Sequence, residues 1–166
     1  MPSDPSLSAA LLRACAASAQ VNEYLVERLD PAVWRAKPPA PKMRTIAAMV
    51  AHLHNCSLTY LRQATPKVTV PPDLDRHRVT QAAAVRALAA KRRALLAVLE
   101  PALELGRRVG RSKHQTVEFI TRYMVHDGHH RGQIVLQARL LGYPLSIQTI
   151  DGMWLWMSRL KSSGAA

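Results

Sequence analysis

Apolar residues along this chain recur at spacings of three and four, the period of an α-helix lying on a core. In the first such segment, from about Ser6 to Leu29, the stripe is Leu11, Leu12, Cys15, Ala19, Asn22, Leu25, Val26 and Leu29. A second, from about Arg44 to Gln63, carries Ile46, Met49, Val50, Leu53, Ser57, Tyr60 and Leu61. A third, from about Thr80 to Glu100, holds Val85, Leu88, Leu95, Val98 and Leu99, with Thr80 placed as an N-cap. Its Lys91-Arg92-Arg93 run reads as a solvated face. The fourth spans about Gln115 to Leu141, with Thr116 as its expected N-cap and Gly142 and Pro144 as its stop. An apolar tail from Ile147 to Leu160, with Trp154 and Trp156, predicts a fifth, shorter helix. Prolines and glycines cluster between these segments, Pro101 among them, and no stretch alternates with period two for the length of a strand. The pattern predicts an all-α fold, a four-helix bundle with a short C-terminal helical extension, in one domain over residues 1–166.

Composition narrows the function. Lys plus Arg number 23 and Asp plus Glu 11, a formal charge of +12, which suits an anionic substrate or a polyanion. A nucleic-acid-binding protein is therefore the rival from another class. The sequence lacks a helix-turn-helix or zinc-finger signature, its cations are scattered over all segments, and it offers few aromatics for stacking, so no nucleic-acid partner is expected. Apolar runs such as Ile46–Ala51 fall far short of the roughly 20 residues that span a bilayer. The first residues lack the basic start and long apolar stretch of a signal peptide, which makes the cytoplasm the expected location. Two cysteines, Cys15 and Cys56, are too few for a disulfide scaffold.

The histidines are the informative feature. His126 and His130 are one helical turn apart on one face, so two imidazoles can bite one metal ion. Asp127 follows His126 where a metalloprotease motif would have Glu, which argues against that class. On the second helix His52 and His54 point about 200° apart. His52, beside Met49, Leu53 and Cys56, is the better inward candidate, and His54 and Asn55 would lie toward the surface or a helix margin. Burying imidazoles without partners is costly, and a metal ion removes that cost. Cys56 is four residues from His52 and can face the same site as a thiolate or serve as a small apolar side chain.

The segment Arg44-Thr45-Ile46-Ala47-Ala48-Met49-Val50-Ala51-His52-Leu53-His54-Asn55 resembles the first-ligand helix of the DinB-like (YfiT-like) metalloenzyme family. His126-Asp127-Gly128-His129-His130-Arg131-Gly132-Gln133-Ile134 is similar to that family's second motif, and Leu140-Leu141-Gly142-Tyr143-Pro144 continues it. The resemblance implies an up-down-down-up bundle, a homodimer, and a divalent ion, zinc or nickel, on His52, His126 and His130. It implies that His129 is not a ligand, that Gly132 permits close helix packing and that Arg131 holds a carboxylate or a helix end. Cys56 departs from the apolar residue usual at its position.

Such a site has open coordination positions for water, a carbonyl or a thiol. Relatives implied by the resemblance include S-transferases and isomerases that use low-molecular-weight thiols, and metal-dependent hydrolysis is the other expectation. A metal-binding, stress-related bundle without catalysis is the alternative. Asp127, Tyr123 and Tyr60 are the candidate acid–base groups, and Asp127 can instead orient an imidazole. Arg107, Arg108, Arg111 and Lys113 read by default as solvated surface, and can receive an anionic small-molecule substrate.

Overall fold

The computed structural model describes residues 6–155. These form helices α1 (Leu7–Arg28), α2 (Ile46–Ala64), α3 (Gln81–Glu104), α4 (Thr116–Leu140) and α5 (Ile147–Trp154), with a single 3-10 turn at Pro31–Val33 and no strand among the described residues. Hydroxyl side chains of Ser6, Thr45, Thr80 and Ser146 accept from backbone N–H groups three residues on and start α1, α2, α3 and α5.

Two expected boundaries shift. Pro101 lies inside α3, which continues to Glu104, most of a turn beyond the proline. Gly106, at φ 59°, turns the chain instead, and the Arg107 N–H returns to the Ala102 carbonyl. The N-cap of α4 is Gln115 and not Thr116: the Glu118 carboxylate accepts from the Gln115 N–H at 2.8 Å. The Thr116 hydroxyl donates to the Arg107 carbonyl. The last helix ends at Trp154, and Trp156 to Leu160 lie outside the described residues.

The core divides into two layers that reveal the helix directions. One joins Leu25, Val26, Ile46, Val50, Ala84, Leu88, Ile134 and Ala138. The other joins Cys15, Leu61, Ala64, Leu95, Leu99, Ile120 and Tyr123. Late α1 and late α4 therefore meet early α2 and early α3, and the opposite ends meet in the second layer. Helices α1 and α4 run one way and α2 and α3 the other, an up-down-down-up bundle. Parallel neighbours α2 and α3 need a crossover, supplied by residues 65–80. It is tied down where Leu74 exchanges two hydrogen bonds with the Asn55 side chain and where the Val79 carbonyl accepts from the Trp34 indole. Helix α5 lies on α1, with buried Gly152 against Tyr24 so closely that any Cβ would collide with the phenol. No helix among the described residues is long and apolar enough to cross a membrane.

Candidate metal centre

The antiparallel seam of α2 and α4 brings the histidines together. The His52 ring centroid lies 4.8 Å from that of His130 and 5.6 Å from that of His126, and His126 lies 4.6 Å from His130. Their planes are tilted or near perpendicular, so the rings are not stacked. Cys56 is one turn beyond His52 on α2. Ligand atoms of His52, Cys56 and His126 all lie within 4.8 Å of one another, a group able to hold a metal ion that includes Cys56 and leaves out the expected His130.

The centre sits in the seam's flank rather than the bundle interior. His52 and His126 are half-buried, and His130 is nearly closed off. The interior position expected for His52 belongs to His54, which is fully buried with Nδ1 2.9 Å from the Asn55 carboxamide. His54 follows Leu53 on the apolar face, and the 200° between positions 52 and 54 turns His52 outward. Of the remaining expectations, Gly132 packs against nothing: a Cβ there would meet open space.

Several contacts suit the imidazoles to a cation. Burial, then the Arg44 charge and the two facing imidazoles, lower the His52 pKa below its ordinary value. Burial and the charge on His126 lower that of His130 against the opposing effect of the hydrogen bond it donates to Gln133. Both rings are thus held in the neutral, ligating form. The Gln133 carboxamide oxygen stands 2.8 Å from His130 Nδ1, which makes Nδ1 the protonated nitrogen and leaves the Nε2 lone pair free. His129 is exposed beside His130.

The sequence profile described as the DinB superfamily matches residues 15–134, a span that holds His52, Cys56, His126 and His130. The chain belongs to the DinB superfamily. A search of curated proteins and a search of solved structures gave no match.

Behind the histidines of this DinB-superfamily chain lies a buried charged array. The Asp127 carboxylate accepts from the Asn22 amide at 2.5 Å, sits 3.7 Å from the Lys91 ammonium, and lies 3.7 Å from His126 Nδ1. Burial alone would raise the Asp127 pKa, but the Lys91 charge, the neighbouring His126 and the hydrogen bond from Asn22 hold it below the usual carboxylate range. Lys91 is 1% exposed, so the middle helix's basic run is not wholly a solvated face. Arg92, next to it, reaches Glu23 at 2.7 Å. Arg131 donates to the Ser18 carbonyl and the Asn22 side chain and so ties α4 to α1. Sequence reading missed Lys91 and Asn22 as partners of Asp127. Their signal was a polar residue on an apolar stripe: Ala84, Leu88, Lys91, Leu95 and Leu99 are spaced by four, three, four and four.

A cavity of about 330 Å³ opens beside His126, between α2, α4 and the α3–α4 loop. Tyr60, Phe119 and Tyr123 give it apolar walls, Arg111, Lys113 and Arg122 give it cations and His114 an imidazole, with no carboxylate in the lining. Arg122 donates to the Tyr60 hydroxyl at 2.9 Å and lies over its ring. Arg111 and Lys113 have no side-chain partner among the described residues. Gly110, at φ 49°, lets the loop touch the end of α2, and the Arg111 N–H donates to the Ala64 carbonyl at 2.6 Å. Arg107 and Arg108 do not line the cavity.

Proposed function

We propose that His52, His126 and His130 hold a divalent metal ion, zinc or nickel, and that the centre catalyses a thiol-dependent S-transfer or a hydrolysis on a small anionic substrate. The observation that carries this reading is the mutual approach of three imidazoles from α2 and α4, two of them held neutral. Nitrogen donors in that number suit either metal. Bound there, the ion would supply Lewis acidity toward a thiol, a water or a carbonyl.

The chain's own groups divide the remaining work. Gln133 fixes the His130 tautomer, and Asp127 lies behind His126 as its positioning group. Asp127 is fully buried and away from the cavity, which suits positioning better than proton transfer to substrate. Burial, then the Asp127 charge, push the Tyr123 hydroxyl well above the usual phenol range. Tyr123 therefore keeps its proton and serves as a donor, not a base. Tyr60 holds Arg122 at the cavity wall. The unpaired cations of Arg111 and Lys113 would take the substrate's anionic group while the apolar walls take its body.

The test is turnover by the zinc-loaded and nickel-loaded chain, with small thiols paired with carboxylate-bearing electrophiles and, separately, carboxylate-bearing esters. Metal-dependent consumption is expected. Arg111→Gln with Lys113→Gln should raise KM roughly tenfold, since charged hydrogen bonds are worth about 1.5–3 kcal/mol. Equal KM for the variant and the parent would remove the anion from the proposal.

A further inference from the structure

Resting on the metal centre proposed above, we infer that Cys56 joins His52 and His126 as a donor to the ion, and that an external thiol reaching the centre would replace it sulfur for sulfur.

Three observations carry the inference. Cys56 lies one turn from His52 on α2, so the two side chains project from the same face. Its sulfur falls within the 4.8 Å group formed with ligand atoms of His52 and His126. It is also half-buried beside the seam rather than sealed in a core layer, unlike Cys15, which is fully enclosed. Burial, then the Asp127 charge, push the Cys15 thiol up to about 12, so it does not compete as a ligand.

Imidazole nitrogen and thiolate sulfur are both preferred donors for zinc. With the ion bound, Cys56 would have given its thiol proton to solvent; an incoming thiol would hand its own proton to the Cys56 sulfur and take that place as thiolate, so that one sulfur donor replaces another and no net proton is released. The chain would thus carry its own occupant at the position that a thiol co-substrate takes.

Cobalt(II) reports this without any turnover, since its visible bands show that the ion is bound and a near-ultraviolet charge-transfer band shows that sulfur is bound. The cobalt-loaded full chain should show both, and Cys15→Ala should keep both. Cys56→Ser should keep the visible bands, lose the near-ultraviolet band and bind cobalt at least about tenfold more weakly. Added 2-mercaptoethanol should restore the sulfur band in Cys56→Ser. Cobalt bound to the parent chain without a sulfur band, or a band that survives in Cys56→Ser, would overturn the role of Cys56 and leave the histidines standing. A lost band that 2-mercaptoethanol fails to restore would overturn the exchange. No cobalt spectrum at all would overturn the centre and the inference together.

Discussion

The Lys91 ammonium lies 3.7 Å from the Asp127 carboxylate, and both side chains are all but sealed from solvent, at 1% and 0% exposure. Removing one partner leaves the other charge buried without compensation, a loss of about 3–5 kcal/mol. Lys91→Met and Asp127→Leu should each destabilise the chain by that order in denaturant unfolding. The double variant should recover much of it, because an apolar pair of similar volume suits the same space. Two additive losses would show that the charges are not coupled.

Gln133 touches the centre only through His130. Gln133→Ala frees the ring to rotate and to change tautomer while leaving all donors in place. Metal affinity should fall about 10–100-fold, with little change in unfolding stability because Gln133 is exposed. Competition with a chromophoric chelator measures it, and an unchanged affinity would leave His130 oriented by packing alone.

Gly110→Ala places a Cβ against the Ala64 carbonyl at a backbone angle that L-residues avoid. The loop carrying Arg111 and Lys113 must lift from α2. A loss of at least about 1 kcal/mol is expected on thermal unfolding. Gly106→Ala has the same angle penalty but meets no neighbour within 4 Å and should cost less.

Stability of the metal-free chain should depend on pH through three histidines. Burial is the first cause that holds His52, His54 and His130 below the ordinary value of 6.5. As pH falls past 6.5 the unfolded chain takes up protons that the folded chain does not. Their contribution is fully present above pH 6.5 and is lost as pH drops through the folded-state values. Asp127, lowered from 3.8, acts only at more acid pH and does not blur this window. Tm should be level above neutrality and decline below 6.5, and His54→Asn should flatten the decline. A Tm that rises as pH falls through this window would reverse the assignment.

The bundle was legible because apolar spacing and hydroxyl caps act within a few residues of each other. Thr80 begins α3 as its position predicts, and the histidine pair of α4 needs only the helical repeat to share a face. What escaped depends on other helices. Lys91 can be buried only because α4 presents Asp127 to it, and nothing near Lys91 in sequence says so. The choice between His52 and His54 turns on how α2 rotates in the bundle, a matter of a fraction of a turn. Position 54 takes the interior, and position 52 takes the flank where a substrate can reach. Pro101 misled because α3 keeps its turn past the proline to Glu104, while the left-handed Gly106 sets the actual stop.

Metal content by elemental analysis of purified variants is the most direct measurement. His52→Ala, His126→Ala and His130→Ala should each lose the ion, whereas His54→Ala and His77→Ala should retain it at the parent's stoichiometry. A full complement of metal in any of the first three would contradict the shared centre between α2 and α4.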